Sequence, residues 1–484
     1  MLLETSNFYY RFPTEIDSRL DFMHYHPELD VLDDLEKLTE YDVTTISTIM
    51  SKPENLVSGK TPKGVLYVDD GIPFLGGTNV RTNETELSET TQIPSIYHTT
   101  VLAASQLAKN DILITIAGVG LGTCSIYESE EEANINQAIA RLRLVDKSEM
   151  NSHFLVRYLN SQFGQFGFVK YSHLVWQPNI NLEEIKLLKI IKPSIREQER
   201  ILEKIKPIEI ESKTLKTKAT KLQNEALNYL LEELKITVPE NPNYFFKTGA
   251  EKQTLTFDVF PDEVSGRIHY LFFHPKYKAL DELKTNFKTV TLQSICTKPI
   301  TRGEQPIYEE DGENIVIKTV DIKDRFIDYD SALKVNNEFF NSMKTAKVIN
   351  GNILLASTGY VSMGKVNVYE REEPAIADGH ISIISLNENY DPYFIAYYLR
   401  SHLGQIQIEK YFTGSSGQIE LQQGDINKFI LPSHQSIPKP RQTEIAKAIR
   451  KKIEEAIKLE QQAEDKQTEA RKLFEKLVLT EIKN

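Results

Sequence analysis

The sequence has little cysteine and no long apolar run, and each shortage excludes a class of protein. Two cysteines, Cys124 and Cys296, are too few for a disulfide framework and favour a reducing compartment. No run of about 18 apolar residues is present, so we expect neither a membrane span nor a membrane partner. The first residues lack a basic stretch followed by an apolar core, so we expect a cytoplasmic protein.

Positive charge is also in short supply, since the formal net charge is −12. This balance argues against a protein that wraps nucleic acid over its whole surface. It leaves room for a local basic cleft, or for a partner that supplies the positive charge.

Common catalytic motifs are missing as well. The chain has no Gly-x-Ser-x-Gly elbow, no Walker phosphate loop and no paired-histidine zinc motif. His24-x-His26 offers two ligands, but no cysteine or carboxylate follows at a metal-binding spacing. We therefore expect no catalytic residue, no metal site and no bound cofactor.

Two stretches place apolar residues every three or four positions, the spacing of one stripe on a long helix. The first runs from Ile195 to Leu234 and the second from about Arg441 to Leu479. Ser212 interrupts the first stripe, and Pro207 predicts either a kink or a later helix start. Stripes this long predict that the two helices pair with each other. The residues expected on these partner-binding helices are Ile201, Ile205, Leu215, Leu222, Leu230, Ile445, Ile449, Ile453, Phe474 and Leu477.

The chain is also an internal duplication, because short motifs recur in the same order about 240 residues apart. The pairs include Asn7–Arg11 with Asn243–Lys247, His26-Pro27 with His274-Pro275, Asp111–Ile114 with Asn352–Leu355, Gly164-Gln165 with Gly404-Gln405, and Gln198 with Gln442. Each half is thus one globular domain followed by one long helix. The predicted boundaries are a first domain at 1–192, a helix at 193–235, a connector at 236–266, a second domain at 267–437 and a helix at 438–484.

The fold class predicted is α+β, with two strand-rich domains in tandem and a pseudo-two-fold internal repeat. Predicted strands are 72–75, 111–117, 123–127, 139–145 and 185–191 in the first half, with 287–295, 314–320 and 353–356 in the second. Short helices are predicted at 101–108, 152–163 and 392–403.

A glycine-rich stretch, Gly118-Val-Gly120-Leu-Gly122, follows a predicted strand, as nucleotide-binding and S-adenosylmethionine-binding loops do. The tight turn of a β-hairpin is the alternative. It is favoured because the equivalent stretch, Thr358 to Gly364, lacks the same glycine spacing. Asn241-Pro242-Asn243-Tyr244 differs at its third position from the Asn-Pro-Pro-Tyr loop of adenine methyltransferases, and we interpret it as a turn.

Polar loops beside strands remain, at matching places in both halves. Their Gly, Ser, Thr, Asn, Gln, Arg and aromatic residues suit contacts to base edges and phosphates, although plain surface loops have the same composition. The candidate DNA-binding residues are Thr78, Asn79, Arg81, Gly120, Thr123, Ser172, His173, Trp176, Gln177, Arg302, Lys318, Thr319, Ser357, Thr358, Tyr360, Thr413, Ser415, Ser416 and Gln418.

With this plan, the chain resembles the specificity subunits of Type I restriction-modification systems over nearly its whole length. The resemblance rests on the domain-helix-domain-helix order and on recurring patterns. They include Phe287–Ile295, Gly351–Leu355, Gln177–Asn181, Gln198-Glu199-Arg200-Ile201 and Gln442-Thr443-Glu444-Ile445. Between the halves, Gln177–Ile180 aligns loosely with Gly417–Glu420.

The resemblance implies two target recognition domains, each contacting one half of a bipartite site on double-stranded DNA. It implies that the long helices form an antiparallel coiled coil that spaces these domains. It further implies a non-catalytic subunit that docks two modification subunits, which methylate adenine, and through the complex the helicase-nuclease restriction subunits. Two alternatives stay open: a self-contained DNA methyltransferase, and a coiled-coil scaffold that binds only protein.

Overall fold

The computed structural model describes residues 26–50, 52–64, 67–68, 70–88, 90–118, 120–144, 148–173, 178–237, 272, 274–359, 362–414 and 419–479. The chain separates into two compact units, and each is described by itself. Unit 1 comprises residues 1–214 with 462–484, and unit 2 comprises residues 215–461. Each unit thus has one globular part and a portion of both long helices. The predicted domain boundaries stay predictions.

Unit 1 is strand-rich. Its strands are β1 (Asp42–Thr45), β2 (Leu56–Ser58), β3 (Ile72–Leu75), β4 (Val80–Arg81), β5 (Glu84–Thr85), β6 (Thr91–Ile93), β7 (Asp111–Thr115), β8 (Cys124–Tyr127), β9 (Asn134–Ile135), β10 (Ile139–Leu142) and β11 (Lys189–Lys192). The central sheet has the antiparallel order β2-β10-β7-β8. A second sheet has the order β6-β3-β9, in which β3 and β9 run parallel. Strand β1 pairs with β11, and β4 with β5.

The helices of unit 1 are short, apart from the long one that follows β11. They are α1 (Leu35–Leu38), α2 (Ile46–Ile49), α3 (Ser95–Thr99), α4 (Ser152–Asn160), α5 (Gln162–Tyr171), α6 (Leu182–Lys186) and α7 (Ile195–Glu233). Helix α4 begins where the Asn151 side chain accepts a hydrogen bond from the His153 backbone N–H. Helix α6 begins with a capping box formed by Asn181 and Glu184.

The core of unit 1 lies between the central sheet and the helices. Every residue of β7 is buried, as expected of a strand covered on both faces. Phe154 of α4 lies 5.2 Å from Phe474, between ring centroids, so the C-terminal long helix contributes to this core. Ile201 and Ile205 of α7 are buried in the same cluster.

Unit 2 has the same plan. Its strands are β12 (Thr289–Thr291), β13 (Thr301–Arg302), β14 (Asn314–Ile317), β15 (Leu333–Val335), β16 (Lys347–Val348), β17 (Ile353–Ala356), β18 (Val366–Val368), β19 (Ala375–Ala377), β20 (Ile381–Ile384) and β21 (Ile430–Pro432). Its helices are α8 (Ala279–Asn286), α9 (Asn337–Ser342), α10 (Pro392–Arg400), α11 (His402–Tyr411), α12 (Gln423–Ile426) and α13 (Lys439–Val478). The sheets have the orders β13-β20-β17-β18 and β15-β14-β19-β16, and β12 pairs with β21.

The predicted duplication is present in the backbone contacts of the two units. A β-carbon on Gly59 would lie 2.1 Å from the Ile135 carbonyl oxygen, and one on Gly303 would lie 2.1 Å from that of Ala377. Both positions therefore require glycine for a close backbone approach.

Buried glutamines explain another pair of repeated motifs. Gln198 and Gln442 are fully buried near the start of the long helices. The Gln198 side chain accepts from the Asn151 N–H at 2.8 Å, and Gln442 accepts from the Asp391 N–H at 3.0 Å. Each glutamine therefore joins a long helix to the first turn of α4 or α10.

The long helices pair in antiparallel fashion within each unit, as predicted. In unit 1, the Ser212 hydroxyl donates to the Ala463 carbonyl at 2.7 Å. This bond explains the interruption of the apolar stripe, because a buried hydroxyl is stable when it is hydrogen-bonded. In unit 2, Gln223 donates to Glu460. Pro207 lies inside α7, so it does not set the helix start.

The predicted stripe residues are used for packing within the chain. Ile201, Ile205, Leu230, Ile445, Ile449, Ile453 and Phe474 are buried, whereas Leu215, Leu222 and Leu477 are half-buried. The cores of the two units take up most of this stripe. Docking of partner subunits on the helices stays a prediction, and it would use the other helix faces.

Several predicted elements differ from the structure. The helix predicted at 101–108 is wrong, because a 3-10 turn at Ala103–Ser105 replaces it. The strand predicted at 185–191 begins late, at Lys189, because helix α6 occupies the earlier part. The strand predicted at 287–295 ends at Thr291 and continues as a 3-10 helix. The motifs at Asn7–Arg11, His24 and Asn241–Lys247 lie outside the described residues.

Candidate nucleic-acid interface

The glycine-rich stretch of unit 1 is the turn of the hairpin between β7 and β8. Gly118 and Gly122 have φ values of +89° and +82°, which L-residues with a side chain rarely adopt. The side-chain amide of Gln165 donates to the Gly122 carbonyl at 2.9 Å and holds the end of the turn. The hairpin interpretation is therefore confirmed. The turn leads into a strand, whereas a dinucleotide-binding loop leads into a helix.

The other predicted loops of unit 1 lie beside this turn. The Gly118 N–H donates to the Pro178 carbonyl at 3.1 Å, and Asn179 forms β-bridges to Ala117 and His173. A β-carbon on Gly77 would lie 3.6 Å from the Thr115 methyl group, and one on Gly120 would lie 3.7 Å from it. We call the described residues 76–81, 117, 118, 120–123, 172, 173, 178 and 179 loop surface 1. Three segments that are distant in sequence thus converge at one end of the central sheet.

The candidate side chains on loop surface 1 differ in their exposure. Thr78, Arg81, Gly120 and His173 are exposed, and Thr123 is half-buried. The His173 imidazole lies 2.8 Å from the Glu184 carboxylate, which orients it. Trp176 and Gln177 lie outside the part of the chain that the structure describes.

Two candidates on loop surface 1 are buried and hydrogen-bonded within the fold. Asn79 accepts from the Gly76 N–H and donates to the Glu86 carbonyl, at 2.9 and 3.0 Å. The Ser172 hydroxyl donates to the Val169 carbonyl at 3.2 Å. Both therefore hold their loops in place, and a contact with DNA stays a prediction for each of them.

A basic loop beside this surface was missed by the sequence reasoning. Gly59 fits against the Ile135 carbonyl, and the Thr61 hydroxyl then bonds the Gln137 side chain. Lys60 and Lys63 in this loop are exposed. The sequence feature that could have revealed this loop is the run Lys60-Thr61-Pro62-Lys63, which follows β2 and Gly59. Lysines there suit phosphate oxygens, so the loop adds positive charge to an otherwise acidic chain.

Unit 2 places equivalent loops together in the same way. The Gly359 N–H donates to the Ile419 carbonyl at 3.0 Å, and Glu420 forms bridges to Thr358 and Thr413. Glu420 therefore occupies the place of Asn179. The sequence alignment, which set Glu420 against Ile180, is wrong by one residue. We call the described residues 318–321, 357–359, 362–364, 412–414, 419 and 420 loop surface 2.

The candidates on loop surface 2 also divide by exposure. Thr413 is exposed, and Lys318, Thr319 and Thr358 are half-buried. Ser357 is fully buried, and its hydroxyl donates to the His380 carbonyl at 3.1 Å. It therefore supports the loop, and its contact with DNA stays a prediction. The remaining candidates, Tyr360, Ser415, Ser416 and Gln418, lie outside the described residues.

Arg302 lies at the edge of loop surface 2 and forms an ion pair with Glu420. Its guanidinium also donates to the Leu421 carbonyl at 3.3 Å, which fixes its plane. Side-chain exposures of 26% for the arginine and 37% for the glutamate leave part of both groups at the surface. Ser58 and Asn179 hold the equivalent strand positions in unit 1. The two units thus carry different chemistry on one frame.

Sequence reasoning missed two further side chains near loop surface 2. Val320 holds the place of Thr78 and is 54% exposed. Tyr308 is exposed as well; partial burial and the nearby carboxylates of Asp378 and Asp321 raise its pKa. The phenol therefore stays protonated at neutral pH and is available as a hydrogen-bond donor. An exposed valine suits the methyl group of thymine.

The described residues contain no group of three His, Cys, Asp or Glu side chains placed to hold a metal ion. Within the same residues, no helix is long and apolar enough to cross a membrane.

Comparison with known proteins matches both halves of the chain to one family. The family model, Type I restriction modification DNA specificity domain, matches residues 55–224 and 284–469. A relative from Escherichia coli, the Type I restriction enzyme EcoBI specificity subunit, is 27% identical over 169 residues. This match spans 35% of the present chain and 35% of the relative.

Solved structures of similar chains give low superposition scores. The S subunit of a Type I restriction-modification system from M. genitalium has a TM-score of 0.38 at 16% identity, covering 92% of this chain and 97% of its own. A chain from a study of assembly and conformational transition of the type I R-M system has a TM-score of 0.44 at 12% identity, covering 91% and 98%.

Proposed function

Because this chain belongs to the family of Type I restriction modification DNA specificity domains, we propose that it is the specificity subunit of such a system. In this role it recognises a bipartite site on double-stranded DNA, with loop surface 1 contacting one half and loop surface 2 the other. The observation that carries the proposal is the double family match, which covers both loop surfaces and most of both long helices.

The partners proposed are two modification subunits, which methylate adenine, and restriction subunits that join through them. The exposed faces of α7 and α13 are the proposed docking region, since their apolar stripes are packed within the chain. The net charge of −12 predicts weak DNA binding by the isolated chain, because phosphate contacts dominate non-specific affinity. Modification subunits would add the basic surface that is needed.

The test is a DNA-binding and methylation assay with the purified full chain, alone and with modification subunits. We expect specific binding and adenine methylation only in the mixture. Methyl transfer by the chain alone would favour a self-contained methyltransferase, and no DNA binding in any mixture would favour a protein-binding scaffold. Tight specific binding by the chain alone at physiological salt would contradict the predicted dependence on modification subunits.

A second test separates the two loop surfaces. Residues 72–190 are replaced by the matching segment of another family member, and methylated DNA from cells carrying the chimera is sequenced. One half-site should change while the other stays the same. A change in both half-sites would contradict the assignment of one half-site to each unit.

A further inference from the structure

Ion pairs between α7 and α13 share one polarity. Three ion pairs between these helices have their glutamate on α7 and their lysine or arginine on α13. The pairs are Glu211–Lys466 at 3.1 Å, Glu225–Lys452 at 3.3 Å and Glu233–Arg441 at 2.5 Å. The first pair lies in unit 1, and the other two lie in unit 2.

Overall helix composition does not account for this polarity. The α7 sequence contains eight acidic and eight basic residues, so the helix as a whole carries no net charge. Lys206, Lys216 and Lys218 are exposed, away from the described ion pairs with α13. The acidic edge of α7 is therefore a property of the contact face.

The internal repeat shows what would follow if a second copy of α7 took the place of α13. Gln198 and Gln442 are equivalent, which sets a shift of 244 residues between the helices. With that shift, the three basic partners are replaced by Leu222, Ile208 and Glu197. Two of the glutamates on α7 would then face apolar side chains, and the third would face another glutamate.

The apolar residues would not prevent such an exchange. Under the same shift, Leu230 takes the place of Phe474, and Leu234 that of Val478. All four side chains are apolar, and the two members of each pair differ only moderately in size. Packing alone therefore discriminates weakly between α13 and a second α7 as the partner. Charge at the edges of paired helices is a known means of choosing partners.

A second copy of α13 in the place of α7 has a different outcome. There, Lys466 and Lys452 would face Glu455 and Glu469, and only Arg441 would lose its acidic partner, to Leu477. The acidic edge of α7 would therefore keep none of its ion pairs with a second α7. The basic edge of α13 would keep two of its three ion pairs with a second α13.

We propose that this polarity is a pairing code: the contact face of α7 accepts α13 and disfavours a second α7. The N-terminal half of the chain therefore pairs with the C-terminal half, and two N-terminal halves from different copies do not pair. The inference concerns the helices alone and does not depend on the proposed DNA recognition.

Two charge-reversed full-length variants test the code. The α7-basic variant carries E211K, E225K and E233K, and the α13-acidic variant carries R441E, K452E and K466E. Each places like charges across the contact, and we expect each to lower Tm by about 5 °C. The combined six-fold variant restores opposite charges and should recover most of that loss.

The two variants should differ in their association with a second copy. In the α7-basic variant, a second α7 brings the new lysine at position 233 to Glu197, and α13 tolerates a second α13. Light scattering at micromolar concentration should therefore show a two-chain species. The α13-acidic variant gains no complementary contact in any exchanged pairing and should stay a single chain, as should the six-fold variant.

A matched control separates these effects from a general change of charge. Glu199, Glu203 and Glu232 are exposed on α7, and their triple reversal to lysine changes the net charge by the same amount. The control should keep both Tm and the single-chain state. A six-fold variant that is no more stable than either triple variant would overturn the code. So would equal association of the α7-basic variant and the control.

Discussion

The ion pair between the buried Asp111 and the half-buried Arg143 gives a prediction for which the repeat supplies its own control. The Asp111 carboxylate is 2% exposed and accepts two hydrogen bonds from Arg143, at 2.7 and 2.6 Å. It also accepts from the Ala108 N–H at 2.7 Å. In unit 2, Asn352 and Ser385 hold the same two positions. Asn352 accepts from the backbone at 3.0 Å and donates to the Ser385 hydroxyl at 3.0 Å.

Asp111→Asn should destabilise unit 1 by about 2 to 3 kcal/mol, because it removes one charge-assisted bond and turns an amide N–H₂ toward the guanidinium. This loss of stability is smaller than the roughly 3 to 5 kcal/mol typical of breaking a fully buried ion pair, because Arg143 is 37% exposed and water screens its charge. Arg143→Ser alone should cost a similar amount, because it leaves a buried carboxylate without its cation.

The double variant Asp111→Asn with Arg143→Ser copies the pair of unit 2. It should return to within about 1 kcal/mol of the original chain, since the short side chains can bond each other and Arg141 still donates to the Gln106 carbonyl. Urea unfolding followed by the fluorescence of the single tryptophan, Trp176, reports on unit 1. Equal stability of Asp111→Asn and the original chain, or additive losses in the double variant, would refute this reasoning.

Three other sets of substitutions test the loop surfaces and the basic loop beside loop surface 1. Gly122→Ala should lower the free energy of unfolding, measured in urea, by about 2 kcal/mol, because φ is positive there and an aromatic ring lies close to the added β-carbon. Gly64 also has a positive φ but lies in open space, so Gly64→Ala should lower that free energy by less. Arg302→Ser should relax the base preference of one half-site by roughly 1 to 3 kcal/mol in sequencing of methylated DNA, and relaxation of both half-sites would contradict its placement. Replacing Lys60 and Lys63 by alanine should weaken binding to all DNA sequences and reduce the salt slope by about 0.9 per lost phosphate contact; an unchanged slope would contradict the phosphate role.

Elements with strong local signals were predictable from the sequence. Strands Ile72–Leu75 and Ile353–Ala356 have the predicted bounds, and α13 begins at Lys439, one residue after the predicted boundary at 438. Local periodicity and the repeat were sufficient for these elements. The helix predicted at 101–108 failed because a short apolar pattern does not distinguish a helix from a 3-10 turn.

The convergence of the loops was harder to foresee. It depends on the parallel pairing of β3 with β9 and on the Gly118 contact with Pro178, which join segments about 60 residues apart. Such pairings leave no local periodicity. Asn79, Ser172 and Ser357 are buried and support their loops through side-chain hydrogen bonds, which the composition of a polar loop does not reveal.

A comparison of equivalent positions suggests how one frame carries two specificities. Backbone-determined features are kept in both units, including the glycine that fits against a carbonyl and the glutamine that holds the hairpin turn. Side chains at the sheet edge differ, since Ser58 and Asn179 in unit 1 stand where unit 2 has Arg302 and Glu420. The bridges of Asn179 and Glu420 are made by backbone groups, so the side chains at these positions can differ while the loops keep their place. The proposed base specificity can therefore vary independently of the fold, which is what a subunit with two recognition surfaces requires.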